Sequence, residues 1–132
     1  MIKTLIGIFL IAHALAHAGL ATAPIPEDPD PKPGAFFTAP ARSWIFQRIK
    51  LDSIPVQKIG VILVILSVLG FILAGLGALG VPGLNGIWQT TAAVSAIVSF
   101  MLLVLYWHPW LILGVVIDTG LVVLSCLNSW PS

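Results

Sequence analysis

VILVILSVLGFILAGLGALG, residues 61–80, decides how this chain must fold. Twenty residues pass without a charge, and about 20 residues at roughly 1.5 Å rise cross a hydrocarbon core about 30 Å thick. Inside lipid a helix satisfies every backbone group within its own segment, which an isolated strand cannot do. With its flanks this apolar segment covers 59–80. Three others of similar length lie at 4–23, at 87–107, which ends in LLVLYW, and at 110–129. The expected fold is therefore all-α, a bundle of four transmembrane helices. The joints VPGLNG (81–86) and HP (108–109) are short, which makes sequential helices antiparallel. WHPW (107–110) reads as a tight turn with Pro109 in the first turn of the last helix.

Composition agrees. The 132 residues suffice for one domain, residues 1–132. They are 58% hydrophobic and 8% charged, where soluble domains carry about 25% charge. Six Lys/Arg against five Asp/Glu leave a formal net charge of +1, so there is no basic patch for nucleic acid. The single cysteine, Cys126, excludes an intrachain disulfide. Lys3 stands alone near the start, nine of the other ten charges fall between Glu27 and Lys58, and beyond Lys58 only Asp118 is charged.

Residues 24–57 form the one long connection. Its first part, 24–40, contains PIPEDPDPKPG, whose five prolines in ten residues impose extended, polyproline-like chain. Its second part, 41–57, contains ARSWIFQRIKLDS. Aromatic and basic residues alternate there without one apolar face, as in a segment lying at the headgroups or a basic loop anchored by Trp44. Lys3, an apolar core and ATA at 21–23 also fit a secretory signal with a small-residue cleavage site, although Pro24 directly after it disfavours cleavage. Five basic residues flank the long connection and Lys3 alone lies on the other side. The expected location is therefore the cell membrane, multi-pass, with the connection cytoplasmic and both termini outside.

Helix association in lipid relies on small and polar residues. The second segment offers Gly70, Ala74 and Ala78 with Gly77 beside them. The third offers Thr91, Ser95 and Ser99 on one face, and the first offers Gly7, Ala14 and Ala18. These read as packing seams, with the hydroxyls bonded back to their own helices.

IAHALAHAG (11–19) places His13 and His17 four residues apart, on one helical face. Depth can be counted from the side where the first segment ends and the last begins. His13 is ten residues from Ala23, and Asp118 is ten residues from His108, about 15 Å in each case. His13 and Asp118 thus lie at matching depth near the midplane, with His17 a turn shallower, toward Tyr106 and His108. A carboxylate there is costly and needs a partner, so His13, His17 and Asp118 form the expected intramembrane polar site. Tyr106, Trp107, His108 and Trp110 form a second, interfacial candidate.

What chemistry this serves stays open. His13, His17 and Asp118 are the candidate ligands of a metal, and with His108 the set would suit zinc. The depth difference keeps His108 and Asp118 from sharing an ion. HALAH lacks the Glu of the zincin HExxH. Haem finds no imidazole pair in facing helices at one depth and no CxxCH. A quinone could use His17, Tyr106 and Trp107. No serine, cysteine or lysine has the surroundings of an activated nucleophile, and Cys126 is far from the histidines.

HALAH, the Pro-rich stretch, ARSW and YWHPWLILGVVIDTGLV together resemble a group of small uncharacterised four-helix prokaryotic integral membrane proteins. The likeness spans all four segments and implies class and topology, with no activity to carry across. The first expectation from small size and short joints is an accessory or scaffold subunit of a membrane complex. The alternatives are a proton-relay or transport element using the Asp/His pair, and a membrane protein that binds a cofactor, metal or quinone. Expected partners are the lipid bilayer and other membrane subunits or further copies of the chain.

Overall fold

The computed structural model describes residues 1–24, 37, 43–50 and 53–130. The expectation for the Pro-rich connection lies almost wholly outside the described residues. The elements are α1 (Ile2–Thr22), a short α2 (Trp44–Arg48), α3 (Ser53–Ala78), α4 (Trp88–Leu105), a 3-10 turn (Pro109–Leu111) and α5 (Ile112–Cys126). Among the described residues all regular structure is helical. Four helices are long and apolar enough to cross a membrane: Ile2–Thr22, Pro55–Ala78, Trp88–Leu105 and Pro109–Cys126. Their outward faces expose Leu5, Ile8, Ile62, Leu69, Ile97 and Val116, the surface that lipid covers.

Each helix ends for a local reason. α1 stops at Thr22 because Ala23 precedes Pro24, which pushes it out of the helical region to φ −70°, ψ 144°. α3 ends in a Schellman turn. Gly80 takes φ +93°, Val81 N–H donates to Leu76 O at 3.1 Å and Gly80 N–H to Gly77 O at 3.0 Å. Pro82 and Gly83 (φ +86°) then make a tight turn closed by Leu84 N–H to Val81 O. Asn128 (φ +48°) gives α5 the same ending, with Ser129 N–H on Leu124 O and Asn128 N–H on Ser125 O. The last helix therefore stops at Cys126 rather than 129.

At the other end of that helix His108 is the cap. Its backbone is extended and its Nδ1 accepts from Trp110 N–H at 3.2 Å, with Pro109 entering the 3-10 turn. Helix α3 starts at Ser53, ahead of the expected 59, because Pro55 falls in its first turn, where its missing N–H costs no hydrogen bond. The segment expected at the headgroups thus divides between α2 and the first turns of α3. Trp44 of α2 donates from Nε1 to Val104 O at 2.8 Å, satisfying one of the carbonyls that α4 leaves unpaired at its end.

The bundle is a row. α3 packs closely on α4, α1 on α3, and α4 on α5, whereas α1 and α5 are not among the close pairs. The α1–α3 crossing is tight: a Cβ on Gly7 would lie 2.8 Å from Gly75 O, and one on Gly75 2.8 Å from Gly7 O. Between α3 and α4, Ala74, Ala78, Ala92 and Ala96 are buried together around Phe71 and Trp88. A Cβ on Gly70 would meet Ser95 Oγ at 2.1 Å. Phe37, Val56 and Tyr106 anchor a second cluster at the opposite end of these helices. Trp130 packs edge-on against Trp88 and donates to Ser125 Oγ, tying the chain after α5 to the start of α4.

Candidate functional site

The row leaves α1 and α5 facing each other across its open side, and the polar residues gather there. His13 lies near the middle of α1 and Asp118 near the middle of Pro109–Cys126. His13 Nε2 is 3.1 Å from Asp118 Oδ1, the direct contact that equal depth implies. Ser99 of α4 donates from Oγ to Asp118 Oδ2 at 2.5 Å. The same Oγ is 2.8 Å from His17 Nε2. His13, His17, Ser99 and Asp118 thus form one unbroken chain of hydrogen bonds across three helices. Asp118 and Ser99 are wholly buried, and His17 nearly so. Phe71 of α3 closes the cluster from behind, edge-on to His13 at 4.8 Å and stacked on His17 at 6.1 Å between ring centroids.

The proton count fixes the direction of the bonds. A serine hydroxyl has one proton. With that proton given to the Asp118 carboxylate, Ser99 must accept from His17. His17 then carries its proton on Nε2, and Nδ1 holds a lone pair. Nδ1 is buried and has no hydrogen-bond partner among the described residues. With Asp118 ionised, His13 donates from Nε2 to the other carboxylate oxygen. Two donors then converge on the Asp118 carboxylate, which offsets part of the cost of an acidic residue at helix centre, about 2.5–3.5 kcal/mol on the insertion scale.

Ser99 was indistinguishable from Thr91 and Ser95 as a seam residue in the sequence. Its neighbours behave as expected: Thr91 Oγ1 bonds to Ile87 O, Ser95 Oγ to Thr91 O and Ser67 Oγ to Leu63 O. Ser99 instead reaches across. The signal that could have found it is depth, since Ser99 lies nine residues before His108 and Asp118 ten after it.

The interfacial candidates do not gather into one site. Tyr106 is fully buried and its hydroxyl donates to Val56 O. Burial pushes this phenol above the ordinary tyrosine value, opposed by the Gly60 backbone. A Cβ on Gly60 would meet Phe37 O at 2.0 Å, so the returning connection and Tyr106 both press on that residue. Trp107 lines a hollow with Trp44 and Val104. His108 caps the last helix, its ring edge-on to Trp110 at 5.5 Å. Of these four only Trp110 comes near the polar chain, through a partly open cleft of about 170 Å³ between α1 and α5. His13 and His17 stand on one wall of the cleft, Leu113, Gly114 and Ile117 on the other, with Trp110 and Leu111 from the joint.

His13, His17 and Asp118 each offer one ligand atom, all within 4.8 Å of one another. Tetrahedral ligands about 2.0–2.1 Å from an ion stand roughly 3.3 Å apart. His17 would have to leave Ser99 to close around a metal, so the spacing as it stands is that of a hydrogen-bonded network. No family model, curated protein or solved structure matches the chain.

Proposed function

We propose that this protein is a proton-relay element of the membrane, working through His17, Ser99, Asp118 and His13. The observation that carries the reading is the continuous chain of four exchangeable groups near mid-depth, with Asp118 at its centre. It favours the relay over the accessory or scaffold role, which small size and short joints suggested first.

The chemistry balances without a cofactor. A proton added to His17 Nδ1 makes an imidazolium. The Nε2 proton then passes to Ser99 Oγ as the Ser99 proton passes to Asp118 Oδ2. His17 ends neutral with its proton on Nδ1, Ser99 now donates to His17 Nε2, and Asp118 is a neutral acid. Release toward the other arm requires His13 to present an unprotonated Nε2 to the carboxyl group. Four helices are few to enclose a pathway, so further copies of the chain or other membrane subunits complete it.

Reconstitution in proteoliposomes with an internal pH dye and an imposed potential tests this. Wild-type protein should carry protons and Asp118→Asn should not. Flux unchanged by that substitution, or no wild-type flux, would refute the relay. The excess of basic residues supports a cytoplasmic location for residues 24–57 and outside termini. Impermeant thiol labelling of Ser132→Cys but not Lys32→Cys, in a Cys126→Ser background in intact cells, is the expected result. The reverse pattern would invert the topology.

A further inference from the structure

His13, His17 and Asp118 can carry protons, yet the same three side chains are also a ligand set. They bring two imidazole nitrogens and one carboxylate oxygen, all within 4.8 Å of one another, and all three residues are buried. His13 Nε2 and Asp118 Oδ1 stand 3.1 Å apart, close to the roughly 3.3 Å that separates two ligands of a tetrahedral ion. One edge of such a site is therefore in place. His17 lies one turn from His13 on the same helix, its ring 4.8 Å away between centroids and nearly perpendicular. Closing the other two edges asks only that the His17 side chain leave Ser99 and turn toward that edge.

We propose that His13, His17 and Asp118 bind one divalent transition-metal ion of the zinc kind, and that the bound ion closes the proton path. The binding stands on the ligand geometry alone, whereas the block rests on the relay reading. The donor set selects the class of ion. Imidazole nitrogen suits zinc, copper and nickel, whereas calcium takes about six to eight oxygen ligands and magnesium a near-octahedral oxygen shell. Phe71 against both rings, and Leu103 and Ile117 beside them in the cleft, supply no oxygen. Three protein ligands leave the fourth position of a tetrahedral ion to water. His13 lines the partly open cleft between α1 and α5 and keeps 7% of its side chain exposed, so the ion meets this ligand first.

The protons balance. Each neutral imidazole keeps its one proton, on the ring nitrogen turned away from the ion, and gives the ion a lone pair. Asp118 stays ionised and gives it a carboxylate oxygen, and the Ser99 proton stays on Oγ. No electron is transferred. With the ion in place no proton lies between His13 and Asp118, and His17 no longer donates to Ser99, so the path is interrupted on both sides of the carboxylate.

The test uses the full chain in lipid nanodiscs, in a Cys126→Ser background that removes the exposed thiol. Cobalt(II) is the probe, because its tetrahedral complexes absorb strongly in the visible, and zinc is the competitor. One cobalt per chain should bind with a tetrahedral spectrum and be displaced by zinc. His13→Gln, His17→Gln and Asp118→Asn each remove a ligand and should weaken binding by at least the roughly 10–100-fold that loss of an outer-shell partner costs. His108→Gln, at the joint, should leave binding unchanged. Ser99→Ala frees His17 and should bind the ion as tightly as before or tighter. No tetrahedral cobalt spectrum, binding unchanged by His17→Gln or Asp118→Asn, loss of binding in His108→Gln, or weaker binding in Ser99→Ala would each overturn the site. The spectrum of the chain with its ligand set intact keeps the test decisive if a variant fails to fold. In proteoliposomes saturating zinc should stop proton flux, and flux that persists with zinc bound would overturn the block. Binding without any flux would keep the metal site and remove the relay. Flux without binding would remove the metal site and leave the relay.

Discussion

Helix α1 meets its two neighbours through opposite chemistry. Toward α3 it presents Gly7, and the backbones close until a Cβ on either Gly7 or Gly75 would stand 2.8 Å from the other's carbonyl oxygen. Toward α5 it presents His13, which reaches Asp118, with His17 a turn away reaching Ser99 of α4; the α1 and α5 backbones stay apart, and side chains span the gap. The first contact is dispersion between close-packed surfaces, which in lipid holds helices together without a hydrophobic drive. The second depends on polar pairing and leaves a cleft. A closed seam fixes one arrangement of the helices. An open seam bridged by exchangeable protons permits two patterns of hydrogen bonding. One helix thus carries both a structural face and a chemical one.

The closed face should be the more sensitive to added bulk. Gly75→Val places methyl groups against Gly7 O and Ile11, and a backbone carbonyl cannot rotate away. Overpacking of this kind costs about 1–3 kcal/mol, and loss of a helical glycine returns at most about 1 kcal/mol in propensity. Thermal unfolding in detergent should show the largest loss here. Gly75→Val no less stable than His13→Gln would break the contrast between the two faces.

At the open face the cost should follow the hydrogen bonds. Asp118→Leu leaves His13 and Ser99 facing an apolar side chain. About 1–3 kcal/mol is usual for unsatisfied buried groups, but removing a carboxylate from mid-membrane recovers part of that, so a net loss near 1 kcal/mol is expected. Asp118→Asn keeps an acceptor for one neighbour and should cost less still while ending proton flux. Stability and flux measured on the two variants separate the roles. If Asp118→Asn destabilised as much as Asp118→Leu, the carboxylate's charge rather than its hydrogen bonds would hold the seam.

The fold was legible because charge-free runs of membrane length leave one solution for the backbone. The His13–Asp118 contact was legible because depth along a helix is a matter of counting. What the sequence hid depends on rotation about the helix axis. Tyr106 and His108 lie near the right end of the bundle, yet Tyr106 turns toward Val56 and His108 folds onto the amide of Trp110. The α1–α3 crossing uses Gly75, one residue off the Gly70–Ala74–Ala78 repeat, because the crossing point and not the repeat selects the glycine. The boundary at 59 was late because Lys58 and Gln57 marked the edge of the apolar run, while helical backbone extends past it to a proline-tolerant first turn.

The smallest expected effect tests the contrast most finely. Ser95 and Ser99 are one turn apart on α4, both buried, and identical in chemistry. Ser95 Oγ donates to Thr91 O at 2.7 Å, a carbonyl that already serves the helix ladder. Ser95→Ala therefore leaves no group unsatisfied, and its effect on stability should be close to zero. Ser99→Ala takes away the donor to Asp118 Oδ2 and the acceptor for His17 Nε2 together. Polar contacts between membrane helices average about 0.6 kcal/mol and reach about 1.7 kcal/mol, so the loss should fall in that range. The functional difference should be larger than the energetic one: removal of Oγ interrupts the only path between His17 and Asp118 among the described residues, so flux should fall in Ser99→Ala and persist in Ser95→Ala. Ser99→Thr keeps the hydroxyl and should restore much of it. Equal flux in Ser95→Ala and Ser99→Ala, with both proteins folded, would make Ser99 one more seam residue and leave His17 outside the relay.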